Sequence, residues 1–282
     1  MAALPRLEIS AIALLLGSGG LHLLVWMLGT ESWDSPLSFR KPALFGISTG
    51  LTLWSCLWVF SQLRSSSLTT WLRRILTGSL VVEVALITLQ SWRGVASHFN
   101  RATPFDAAIE STLLLLISIA TLLIFWLTAV SLSSGSLNRL PPPERLAARA
   151  GLALLSLSCL LGFLITFVGN QLVSANLPPE TYPLRGVLKF PHGAALHAIQ
   201  TLVVLAWLCP RLGTRWPLAV VWSAILAHLF GLLFALLQTF RGKARFELDL
   251  SSGLLLATTL LLLACSFALL FWPRSQRAIS AN

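Results

Sequence analysis

Apolar residues in this chain do not alternate with polar ones over short distances; they come in long runs broken by brief charged, proline-rich or serine/glycine-rich stretches. Leu7 to Thr30, Pro42 to Leu63, Ile75 to Trp92, Ala107 to Leu132, Ala150 to Ala175, Pro191 to Cys209, Trp216 to Phe240 and Leu250 to Trp272 each run near the roughly 20 residues that a helix needs to cross a bilayer. Only a helix satisfies its own backbone over such a stretch in hydrocarbon, so the pattern predicts an all-α polytopic membrane bundle of about eight transmembrane helices. The first run is too long for a signal-peptide core, lacks a small-residue cleavage site and carries His22, so it reads as a retained span.

Composition agrees with the pattern. Charged residues make up 11% of the 282 and hydrophobic ones 56%, with a mean hydropathy of +0.80. Soluble proteins carry about 25% charge. The net charge of +10 would suggest nucleic acid in a soluble protein, but here the arginines sit in short connections where they anchor helices, which sets nucleic acid aside. Cys56, Cys159, Cys209 and Cys265 fall in or at the ends of different runs, form no C-x-x-C pair, and give no disulfide or zinc signal.

The most linker-like connection is Ser133 to Arg149, with Pro141, Pro142 and Pro143, and it divides the chain into 1–138 and 139–282, four spans each. These halves read as a duplication. Leu89-Gln90-Ser91-Trp92-Arg93-Gly94 is echoed 148 positions later by Leu237-Gln238-Thr239-Phe240-Arg241-Gly242. The same offset pairs Lys41 with Lys189, and Leu24 and Val25 with Leu172 and Val173. Repeats of four spans share one orientation, which predicts a pseudo-twofold axis along the membrane normal with a site between the halves. Eleven lysines and arginines lie in the even-numbered connections and tails, nine in the odd-numbered connections, so the positive-inside rule places both termini in the cytoplasm.

With that topology the polar residues gather toward the end formed by the odd-numbered connections. His22, Glu83 and His197 lie about 9 to 14 Å below that boundary at the helical rise. Gln200 shares a face with His197 at i+3, and Gln90 with Glu83 at i+7. Nearer the surface come Arg93, His98, Asn100, Asn170, His192, Gln238 and Arg241. Ionisable groups within a membrane are costly, so they face a bundle interior and are paired or functional. The expectation is therefore one polar cavity lined by His22, Glu83, His197 and Gln200. The bland alternative for Glu83 is a protonated or hydrogen-bonded pin between helices, and His228, with no polar neighbour at i±3 or i±4, reads as a packing residue. Lys41, Lys189, Arg93 and Arg241 would form a cationic rim that attracts anions, or equally would snorkel to headgroups. The connection Arg93 to Asp106 reads as a short lid, with Thr103, Pro104 and Asp106 as a helix start; Asn176 to Lys189, with Pro178, Pro179, Pro183 and Tyr182, reads as a second cover.

The segments S-W-R-G-V-A-S-H-F-N (91–100) and K-F-P-H-G-A-A-L-H-A-I-Q (189–200) resemble hypothetical bacterial integral membrane proteins over most of the chain. That resemblance implies a bacterial inner membrane and no activity, cofactor or residue role. Three function classes follow from the residues themselves. His22 and His197 could ligate haem b or a transition metal for redox chemistry, with Gln200 fixing a ring. The repeat axis could carry a small-molecule ligand, anionic or lipid-like, past Glu83 and a histidine acting as proton relay, as a transporter or receptor. Third, a membrane-embedded metal hydrolase would use His98, Asp106, His192 and His197, although no H-E-x-x-H is present and His192 and His197 point about 140° apart on a helix.

Overall fold

The computed structural model describes residues 4–29, 32, 33, 35, 37–133, 135–177, 179 and 186–272. Pro178, Tyr182, Pro183 and Arg185 of the expected second cover, and Arg274 and Arg277 of the tail, lie outside the described residues. The helices are α1 (Arg6–Leu28), α2 (Arg40–Gln62), α3 (Ser67–Trp92), α4 (Pro104–Leu132), α5 (Pro142–Ser174), α6 (Lys189–Leu196), α7 (Ala198–Arg211), α8 (Pro217–Phe240) and α9 (Leu250–Leu270). Among the described residues there is no strand, and the chain is an all-α membrane bundle.

Among the described residues seven segments are long and apolar enough to cross a bilayer: α1, α2, α4, α5, α6 with α7 as one run of 23 residues, α8 and α9. Leu14, Leu21, Leu115, Leu122 and Leu261 stand exposed along them, as side chains bathed in lipid should. The remaining long helix, α3, is not among the seven; it carries Arg73, Arg74, Glu83 and Gln90 and packs against α1, α2 and α4. A helix flanked by protein can keep polar residues that one facing lipid cannot.

Helix starts follow local chemistry. Ser66 and Thr69 form a capping box on α3, as do Asp249 and Ser252 on α9, and α4 opens on Thr103, which accepts from the Asp106 N–H, with Pro104 in the first turn. Some boundaries differ from the sequence reading; α3 begins at Ser67 rather than Ile75. α5 begins at Pro142, inside the expected linker, because the first turn of a helix has no use for the N–H that proline lacks. The sixth span is interrupted at His197, whose φ of −94° and ψ of 6° separate α6 from α7.

The chain divides into two compact units, residues 1–136 with 164–182 and residues 137–163 with 183–282, so α5 contributes its first part to the second unit and its last part to the first. In the first unit α1 and α2 meet through glycines. A Cβ on Gly46 would stand 2.7 Å from the Gly19 Cα and 2.8 Å from the Leu15 carbonyl oxygen, so the backbones touch and small residues are required. At the other end of this contact Glu8, 1% exposed, pairs with Arg73 of α3 at 2.9 Å. In the second unit Leu154, Leu202, Val221, Ile225 and Leu232 fill a core between the first part of α5, α7 and α8. A Cβ on Gly151 of α5 would lie 2.6 Å from the Ile199 Cα.

Candidate functional site

The repeated L-Q-x-[aromatic]-R-G motif is a helix ending used twice. Gly94 and Gly242 take φ of +69° and +62°, the left-handed backbone that glycine adopts without a Cβ penalty. In the first copy Gly94 N–H donates to the Ser91 carbonyl and Val95 N–H to the Gln90 carbonyl; in the second, Gly242 donates to Thr239 and Lys243 to Gln238. Both are Schellman closures with the same register. Each glutamine then fastens the following connection. Gln90 Nε2 donates to Asp106 Oδ1 at 2.9 Å, and Gln238 Nε2 reaches the carbonyls of Ala244, Arg245 and Glu247 at 3.1, 3.3 and 3.0 Å. Each arginine meets an aspartate at the start of the next helix: Arg93 donates to Asp106 at 2.6 Å, and Arg241 to Asp249 at 2.8 Å. Lys243 joins Asp249 at 2.7 Å. Its ammonium, with the Ser252 N–H and the Ser251 hydroxyl, holds the Asp249 carboxyl well below the usual carboxylate range.

In the first unit this ending positions a polar cluster. The aromatic residue of the motif, Trp92, donates its indole N–H to His22 Nε2 at 2.9 Å, while His22 Nδ1 lies 2.7 Å from the Ser18 carbonyl oxygen. Both nitrogens are thereby committed: Nδ1–H donates one turn back, and the Nε2 lone pair receives the indole. Phe39 stacks on the ring with centroids 6.1 Å apart. A metal at His22 Nε2 would have to displace Trp92.

Glu83, 5% exposed on α3, has Lys41 at the start of α2 as its counter-charge. Lys41 Nζ lies 3.1 Å from His98 Nδ1, and the Ser97 hydroxyl lies 3.0 Å from the same nitrogen. The Phe45 ring flanks both, 6.0 Å from Lys41 Nζ and 6.2 Å from the imidazole centroid. A line of ionisable groups thus runs from a buried carboxyl in α3 to the connection between α3 and α4. That connection is pinned in place. Phe99 adopts φ of +58° and its ring fills the space over Gly169 of α5, where a Cβ would meet it at 2.3 Å. Asn100 shapes the turn, donating to the Ala96 carbonyl and accepting from Ala102 N–H, and Arg101 pairs with Glu110 at 3.0 Å. Asn170 is half-buried on the last part of α5.

The other expected residues belong to the second unit. His192 and Ser158 exchange hydrogen bonds: the imidazole Nδ1 donates to the Ser158 carbonyl at 2.8 Å and the Ser158 hydroxyl to the His192 carbonyl at 2.9 Å. The ring also lies over Gly162, so His192 clamps α6 to α5. His197 and Gln200 are hydrogen-bonded to each other through their side chains, at the break between α6 and α7. His22 and Glu83 thus lie in one unit, His197 and Gln200 in the other.

Two partners were not legible beforehand. Trp92 reads in the sequence as the aromatic position of the repeated motif, and Ser97 as a polar residue of the short lid; neither spacing nor composition signals their imidazole contacts. Among the described residues no group of three or more histidine, cysteine, aspartate or glutamate side chains is placed to hold a metal ion. No protein-family model matches the chain, and comparison with curated proteins and with solved structures finds no match.

Proposed function

We propose that the protein is a membrane transporter for a small anionic molecule, coupled to proton movement through Glu83, Lys41 and His98. One observation supports the reading above the others: a carboxyl buried at mid-helix has a lysine as counter-charge, and that lysine reaches a histidine in a pinned connection. Intramembrane ionisable groups arranged in sequence are what proton relays use. Lys41 would be the anion's first partner, exchanging its contact with His98 for the anion. An anion at Lys41 would compete with His98 and Glu83 for the ammonium and so change the charge balance of the relay. Binding and proton release are linked on this reading. The same cluster faces the periplasm if both termini are cytoplasmic in a bacterial inner membrane.

The test is reconstitution of the full chain in vesicles holding a pH-sensitive dye, with acetate, lactate and inorganic phosphate as probes. Counterflow of one probe with internal pH change is expected for the wild type. Glu83→Gln should abolish the pH change and Lys41→Ala should reduce uptake at least about ten-fold, the cost of a lost charge-assisted bond. Uptake and pH change that survive Glu83→Gln would sink the proposal. A Soret band with a dithionite-reduced alpha band in the purified protein would instead favour a haem-binding redox protein.

A further inference from the structure

The second unit holds a cavity of about 240 Å³ between α6, α8 and α9, and it has a different character from the Glu83 cluster. Phe190 and Ala194 of α6, His228, Gly231 and Phe234 of α8, and Thr259 of α9 line it. One atom in this apolar wall is unsatisfied. His228 spends one ring nitrogen on the Ala194 backbone, and its Nε2 is buried with no hydrogen-bond partner. If Nδ1 carries the hydrogen and donates to the Ala194 carbonyl, Nε2 presents a bare lone pair. A buried acceptor without a donor is costly, so an occupant of this cavity that brings a donor to Nε2 would be held there.

Three features narrow the occupant. A water needs two to four polar partners, and here Thr259 already donates to the Leu255 carbonyl at 2.8 Å, leaving His228 almost alone. A charged ligand would find no counter-charge among the lining residues. The Phe190 and Phe234 rings meet edge to face with centroids 5.8 Å apart, a wall suited to another ring. A cavity of about 150 Å³ accepts benzene, so this one has room for a substituted or two-ring aromatic. The repeat offset adds a reason for the difference between the units: Gly231 stands 148 positions after Glu83 and Phe246, also in the wall, 148 after His98. The positions that carry charge in one unit carry space and an aromatic ring in the other.

We infer that the α6/α8/α9 cavity binds a small aromatic alcohol, of the phenol or hydroquinone class, through a hydroxyl donated to His228 Nε2. The inference is independent of the transport reading. It is tested on the detergent-purified full chain by titration with 1-naphthol and with 1-methoxynaphthalene, which keeps the rings but cannot donate. Naphthol should bind at least about ten-fold more tightly, the value of a donor to a buried acceptor. His228→Phe should erase that preference while leaving methoxynaphthalene binding in place. Gly231→Leu should abolish binding of both; if that variant does not fold, the preference lost in His228→Phe decides alone. Equal affinity for the two probes in the wild type, or a preference that survives His228→Phe, overturns the inference. Hydroquinone with and without a decyl tail then separates sources: tighter binding with the tail indicates a membrane-borne quinol, equal binding a soluble phenol. Glu83→Gln should leave naphthol binding unchanged, so failure here and failure of transport are read separately.

Discussion

At the scale of single residues, burial decides which charges matter. Glu8 and Arg73 illustrate it: Glu8 is almost wholly enclosed, whereas Arg73 keeps about a fifth of its side-chain surface exposed, and they meet at 2.9 Å off the hydrogen-bond line. Removing one member of a buried pair typically costs about 3–5 kcal/mol, because the other is left unpaired in a poor solvent. Arg73→Ala should therefore lower the thermal midpoint of the detergent-solubilised protein more than Glu8→Ala, since it strands the deeper group. The double variant should be more stable than Arg73→Ala alone; strictly additive losses in a thermal-shift series would contradict a coupled pair. His22 shows the same rule with neutral groups. Its ring is saturated by Ser18 and Trp92, and the identity of its donor, an indole one helix away, was not contained in the local sequence.

Among the elements, contact through glycine is the most exposed to test. Gly46 lies against Gly19, while Gly17 and Gly20 have nothing within 4 Å of where a Cβ would be. Gly46→Leu should destabilise the first unit by more than the about 1–3 kcal/mol of ordinary overpacking, because backbone rather than side chain must move. Gly17→Leu and Gly20→Leu, which only add apolar surface toward open space, should leave the melting temperature within a degree or two of the wild type. Equal losses at Gly46 and Gly20 would show that the α1–α2 contact is not close. The helix endings at Arg93-Gly94 and Arg241-Gly242 carry a second lesson. The motif was visible as a repeat of residues, and the structure adds its reason: a left-handed glycine closes the helix, the glutamine fastens the next connection and the arginine reaches the next helix start.

Over the whole molecule, orientation rests on the excess of basic residues in the even-numbered connections, eleven against nine. A reporter fused after Arg101 should read extracytoplasmic, and one fused after Arg139 cytoplasmic; the reverse would turn the Glu83 cluster toward the cytoplasm without altering its residues. The sequence by itself determined the class of protein. Runs of about 20 apolar residues leave the backbone no alternative to helices, and their boundaries are set by proline, serine and charge acting locally. It also made Glu83 conspicuous, because a carboxylate inside such a run is expensive wherever the run packs. Tertiary structure decided the partners. That Lys41 is the counter-charge of Glu83, that His98 reaches Lys41 over 57 positions of chain, and that His228 borders a cavity depend on how helices rotate and dock. Helical periodicity gives depth and face within one helix; the rotation of one helix against another is set by the summed packing of many apolar side chains, which no local pattern encodes.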